Sequence, residues 1–377
     1  MYFRSFLILL FIQIIYCQKV KCSISTTATE ECPLIIKNLY LDIVIIFDSS
    51  DGAGEQGFKG QLLSISGFLN SGFIIGQGNK HQSTRVSFGT MATETVIFSN
   101  LTSYNSVDEA HSELLKLSFY ANTGTSINLY SGLMGASNQF DSYGRRGYKQ
   151  LIIIFSSATR IDCFVPTKVS SNLKDPCRVA ATIKGEKKDI LVVNLNYHDT
   201  PPPEIKNISS PNYDISNDNN LIKNLQRLAA YSNCNCPQSY TQFRNDLIDF
   251  KGRTCAYFED STTFYKDATQ KFSGIDSRLI QIRSREKQRF TQLLCGNNDC
   301  FFGLNQLEKH GKWKWDGSNN DFNPKEYDNF GPSQEKISGC GYIQNTTGLW
   351  YSVDCYNVEK KYITEILACD TENFCLL

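Results

Sequence analysis

The stretch Leu41-Asp42-Ile43-Val44-Ile45-Ile46-Phe47-Asp48-Ser49-Ser50-Asp51-Gly52-Ala53-Gly54 decides how the first half of the chain is read. Residues 41–47 are almost continuously apolar and β-branched, the pattern of a central parallel strand covered on both faces. A polar turn ends the run, and Phe58, Leu62, Ile65 and Phe68 then recur at helical spacing. Working outward, strands are predicted over residues 85–88, 95–98, 151–155 and 190–195, with a helix over about 126–139. Pro201, Pro202, Pro203 and the Asn/Asp-rich residues 212–220 read as a loop before a last amphipathic helix carrying Leu221, Leu225 and Leu228. Strand–helix alternation of this length predicts an α/β doubly wound parallel sheet over residues 39–232.

A chain of 377 residues is long enough for two domains with separate cores. Its 41% hydrophobic and 20% charged content is that of folded globular protein. Lys+Arg and Asp+Glu are 38 each, a zero balance that argues against a nucleic-acid binder, which needs a basic surface to neutralise phosphates. Fourteen cysteines point to an oxidising compartment. None lies between Cys32 and Cys163, whereas seven lie from Cys255 to Cys375. That shift predicts a first domain held by its apolar core and a second, over residues 246–377, that leans on disulfides.

Residues 1–17 carry one basic residue, Arg4, and then an apolar run from Phe6 to Tyr16. The run suits the h-region of a secretory signal and is short for a membrane span, a signal anchor being the alternative. Residues 18–38 form an N-terminal segment, and no second long apolar stretch follows. Cleavage after Cys17 would leave thirteen cysteines and a formal charge of −1 (37 minus 38). Sequons at Asn100, Asn207 and Asn345 agree with a secreted glycoprotein. Residues 233–245 read as the connection between domains. After Leu304 a polar stretch punctuated by Trp and Gly predicts α+β structure with much irregular loop.

Residues 39–232 resemble a von Willebrand factor type A domain through LDIVIIFDSSDGAG, TGTSINLYSGL, LIIIFSS and ILVVNL. The resemblance implies a divalent cation at the C-terminal end of the sheet, held by two serines and an aspartate of the first loop, a threonine of a second and an aspartate of a third. Hard cations want such oxygen ligands from rigid loops. Asp48, Ser50 and Thr125 match, but Gly52 stands for the second serine and Ser157 for the third-loop aspartate. The expectation is a degenerate remnant that holds no metal, with Asp48 capping the following helix and Thr125 beginning another. No cofactor is expected.

Residues 246–377 resemble a C-type lectin-like domain through CAYF at Cys255, FYKDATQKFSGIDSRLIQI, FFGL at Phe301, WKWDGS at Trp313, YDNFGP and YITE at Tyr362. The family's long-range bridge falls on Phe272 and Thr364, so both partners are missing together. That forgoes about 4–5 kcal/mol in the chain-entropy account. Cys340 and Cys355 match the second family bridge; Cys163 with Cys177, Cys295 with Cys300, and Cys369 with Cys375 are further candidates to pair. The family's Ca²⁺-dependent sugar motif falls on Gln334-Glu335-Lys336, or on Asn323-Pro324-Lys325, each ending in a lysine that repels a cation. After Trp350 stand Tyr351 and Ser352 in place of Asn-Asp, and Trp313, Trp315 and Trp350 are expected in the core. The two resemblances in this order look like a nematode secreted family and imply extracellular recognition.

No zinc-binding helix, nucleophile elbow or phosphate loop accompanies the four histidines, His81, His111, His198 and His310, so no enzyme is expected. Cys234 and Cys236 read as structural. The run Arg283, Arg285, Lys287, Arg289 is either a basic helix face for an acidic glycan or a solvated face, and Asp48, Asp51 and Glu55 are acidic neighbours at the sheet end. The expected partner is an extracellular protein or glycoprotein ligand, with a glycan as the alternative and neither nucleic acid nor a membrane span.

Overall fold

The computed structural model describes residues 31–375 except 77–81, 120–126, 159–160, 162, 164–173, 196–204, 246–249, 271–276, 309–310, 319–320 and 335–338. Two compact units emerge. One comprises Cys32–Cys255 and Leu367–Leu377, the other Ala256–Ile366.

In the α/β unit, β1 (Leu41–Asp48) is buried along its whole length, as its apolar run requires. It leads into α1 (Gly54–Leu69), β2 (Arg85–Met91) and β3 (Thr95–Ile97). Then come α2 (Val107–Leu115), α3 (Leu129–Tyr143), β4 (Lys149–Ser156), α4 (Pro176–Gly185) and β5 (Asp189–Asn194). The short α5 (Ile205–Ile208), β6 (Asp214–Ser216) and α6 (Leu221–Asn233) follow. The sheet order is β3-β2-β1-β4-β5-β6, and only edge strand β3 is antiparallel. β1 is therefore flanked by parallel neighbours on both sides, with the strand order reversing beside it. On one face Phe47 stacks on Phe155 at 5.7 Å and meets Phe58 edge-on. On the other, Val44, Ile46, Ile152 and Ile154 pack with Leu133, Ala136 and Phe140 of α3.

Several helix starts were written in local sequence. Asn128 caps α3 by accepting from the Ser131 amide, so the helix begins at Leu129 rather than near 126. Asp175 caps α4, whose first residue is Pro176. At α2, Ser106 Oγ accepts from the Glu109 amide while Glu109 reaches back to the Asn105 amide.

After α6 come β7 (Thr241–Asn245) and the long β8 (Phe250–Phe264), within which the division between units falls. Phe264 ends this strand, and the short α7 (Tyr265–Gln270) follows directly. Phe272 lies outside the described residues. The second unit continues with β9 (Arg278–Leu279), α8 (Arg285–Cys295), β10 (Cys300–Asn305), β11 (Lys314–Trp315), β12 (Cys340–Ile343), β13 (Trp350–Val353) and β14 (Glu359–Leu367). Its strands run β13-β12-β10-β14-β8, with β10 and β14 parallel. Trp313, Trp315 and Trp350 are buried with Phe302, Leu304, Ile343 and Ile363.

Six disulfides join Cys32–Cys234, Cys163–Cys177, Cys236–Cys255, Cys295–Cys300, Cys340–Cys355 and Cys369–Cys375. Cys17 and Cys22 lie outside the described residues. The final segment, read from sequence with the second domain, groups with the α/β unit. Asp370 and Thr371 are fully buried there. Arg253 donates to Asp370, Thr371 Oγ1 donates to the Pro33 carbonyl, and Phe374 packs edge-on to Tyr40 at 4.9 Å.

Candidate functional site

In an open parallel sheet, ligands bind beyond the carboxyl ends of the strands where the order reverses. Here that place is the end of β1 with the loop into α1 and the loop after β4. Asp48 is fully buried. Its Oδ1 accepts from the Ser50 amide at 2.9 Å and the Ser50 hydroxyl at 2.6 Å, and its Oδ2 accepts from the Ser157 amide at 2.7 Å. Ser50 Oγ lies 3.3 Å from Ser157 Oγ. Gln61, buried on α1, clamps the Asp48 backbone from behind: Oε1 accepts from its amide at 2.8 Å and Nε2 donates to its carbonyl at 2.9 Å. Sequence reading missed this glutamine, whose signal was a polar residue on the apolar face of a helix.

A cation implied by the fold does not fit these donors. Both carboxylate oxygens of Asp48 already accept from protein donors, and Ser157 supplies a hydroxyl where a second charge would be needed. Gly52 supplies no oxygen, and a Cβ there would come within 2.7 Å of Ser157 Oγ. Asp51 is exposed, and Glu55 pairs with Lys59 at 2.6 Å on the surface, so neither joins Asp48. Thr125 lies outside the described residues. Cys163, Asp175 and Cys177 form the one His/Cys/Asp/Glu group close enough for a cation among the described residues. The two sulfurs are joined to each other there and Asp175 caps α4.

In the second unit the sugar-motif residues are also occupied internally. Asn323 Oδ1 accepts from the Lys325 amide, and Gln334 Oε1 accepts from the Ser352 amide at 3.3 Å. Glu335 and Lys336 lie outside the described residues. Trp350 Nε1 donates to Gln288 Oε1 at 2.7 Å, and Gln288 Nε2 donates to the Gly348 carbonyl at 3.0 Å. Trp350 therefore anchors the hairpin to α8 rather than facing a ligand. Thr364 is buried in β14 beside Leu279.

The basic run 283–289 is split rather than shared on one face. Lys287 is buried and lies 2.8 Å from Glu365 Oε2, while Arg278 donates to Glu365 Oε1 at 2.8 Å. Burial alone would raise the Glu365 carboxyl, but the two cations outweigh it and hold it below the usual carboxylate range. Arg283 reaches Gln281 and Glu326, leaving Arg285 and Arg289 exposed.

The von Willebrand factor type A domain family matches residues 42–228, and the lectin C-type domain family matches residues 263–365. The chain carries a type A domain followed by a C-type lectin domain. Both domains are typically non-catalytic recognition modules. C-type lectin domain-containing protein 160 of Caenorhabditis elegans is 20% identical over 380 residues, covering 92% of this chain and 56% of the relative. The mouse low affinity immunoglobulin epsilon Fc receptor is 26% identical over 140 residues, 36% of this chain and 38% of the receptor. The chain thus spans less than two thirds of either curated relative. Among solved structures, proximal thread matrix protein 1 of mussel byssus superposes with a TM-score of 0.41 at 16% identity, covering 53% of this chain and 48% of that one. The human scavenger receptor C-type lectin carbohydrate-recognition domain does so with a TM-score of 0.29 at 21% identity, covering 35% and 98%. Among the described residues, no helix of the type A or lectin domain is long and apolar enough to cross a membrane.

Proposed function

We propose that this is a secreted, non-catalytic recognition protein that binds an extracellular protein or glycoprotein without a divalent cation. One observation carries the reading: both oxygens of the Asp48 carboxylate accept hydrogen bonds from Ser50 and Ser157, while positions 52 and 157 bring no second carboxylate to the sheet end. Loops carried on a rigid sheet end are where such scaffolds bind partners. Export is supported by six disulfides, by the apolar run after Arg4 and by the three sequons. The mouse relative is named as a receptor for an immunoglobulin segment, a protein ligand.

The test is calorimetric titration of the purified chain with Ca²⁺ and Mg²⁺ beside a melting-temperature measurement. We expect neither heat nor a shift at millimolar metal. A rise in Tm with either ion would overturn the reading. The alternative, a carbohydrate-binding lectin, rests on the lectin-domain match over residues 263–365. Glycan-array binding abolished by chelator would favour it.

A further inference from the structure

The turn between β12 and β13 holds a sequon, Asn345-Thr346-Thr347, at the tip of a tight hairpin. The Gly348 amide donates to the Gln344 carbonyl at 2.7 Å, and Gly348 takes φ +70°, a left-handed conformation that glycine adopts without strain. Asn345 to Thr347 are exposed. The Asn345 side chain is nevertheless aimed: its Nδ2 donates to the Asn297 carbonyl at 2.9 Å, and its amide donates to Asp299 Oδ1 at 2.9 Å. Asp299 Oδ2 lies 2.9 Å from Lys360 Nζ, which sits 3.9 Å above the centre of the Tyr342 ring. Tyr342, half-buried three residues before Asn345, pairs across the strands with Tyr351 at 6.0 Å.

We infer that Asn345 carries an N-linked glycan whose first N-acetylglucosamine folds back onto the patch formed by Tyr342, Lys360 and Asp299. Nδ2 has two hydrogens, so one remains for the Asn297 carbonyl after the other is replaced by the sugar. That retained bond directs the sugar along the hairpin toward Asp299 and Lys360. The C–H face of a pyranose carries partial positive charge and suits the electron-rich ring that already attracts the Lys360 ammonium. Asp299 and Lys360 offer an acceptor and a donor to the ring hydroxyls and the acetamido group. The inference rests on the chain being exported, since the transferase acts in that compartment. It goes further in giving the glycan a structural role in the lectin domain.

The chain is secreted from a eukaryotic host that adds high-mannose glycans, and enzymatic deglycosylation in ¹⁸O-water with peptide mass mapping reads each sequon. Asn345 is expected to be occupied. In an Asn100→Gln/Asn207→Gln background, trimming to a single sugar should leave Tm unchanged, whereas the same chain made in a host that adds no glycan, with Asn345 intact, melts about 2–4 °C lower. Once Tyr342→Ser is also present, absence of the sugar should no longer change Tm, since the coupling is lost. Nuclear Overhauser effects from the sugar ring protons to Tyr342 are expected independently of how either variant folds. An empty Asn345 beside occupied Asn100 and Asn207 overturns the site and leaves export standing. Occupancy with equal Tm, or without those contacts to Tyr342, overturns the structural role. A chain retained in the cell with every sequon empty overturns both readings.

Discussion

Single residues show most plainly what the surroundings do to chemistry. Lys251 of β8 is buried and donates to the Tyr231 carbonyl of α6. Burial, with Lys149 and Arg244 adding to it and Asp189 opposing it, pushes its amine down to about 7. A lysine depressed in the native state is protonated first in the unfolded chain. Stability therefore rises with pH between about 7 and the ordinary value of 10.5, and is flat below about 7, where both states are charged. Wild-type protein should gain about 2 kcal/mol between about pH 7 and about pH 9 in urea titrations, and Lys251→Met should lose that slope. An unchanged slope in the variant would show Lys251 to be charged throughout. Asp48 teaches the opposite lesson: its acid was legible as a match to a ligand position, but that Ser50 and Ser157 both donate to it depends on two loops 107 residues apart meeting.

At the scale of elements, periodicity was a good guide wherever one run was buried on both faces. β1, β4 and β5 lie where their apolar runs stand, because such runs have no other low-energy arrangement. Short elements were missed where signals were local rather than periodic, as at Ser106-x-x-Glu109 and Asp175-Pro176. The linker reading of 233–245 overlooked β7, whose five residues carry too little alternation to stand out. The Trp350–Gln288–Gly348 relay binds β13, α8 and the hairpin together. Trp350→Phe strands a buried Gln288 acceptor and leaves a void, so unfolding in urea should show a loss of about 2–4 kcal/mol. A loss under about 1 kcal/mol would mean that Gln288 finds another donor.

For the whole molecule, the last residues matter more than their position suggests. Asp370 accepts from Arg253 and from the Glu372 and Asn373 amides while fully buried. Asp370→Ala leaves the Arg253 charge without its inner partner, and breaking such a pair costs about 3–5 kcal/mol. Thermal melts followed by circular dichroism should show the fall in Tm, and reversal by high salt would place the pair at the surface instead.

What the sequence determined by itself was whatever depends on neighbours along the chain. It set the buried strand runs, the helix periodicity, the order of two recognition modules, the glycine and serine at positions 52 and 157, and the sequon at Asn345. Tertiary structure alone decided which distant groups meet: Gln61 behind Asp48, Lys287 against Glu365, Lys360 over Tyr342, and the tail against Pro33 and Arg253. The reason is physical. Burial pattern is a local property of spacing, whereas saturation of a buried charge depends on donors that the folded backbone brings from far along the chain.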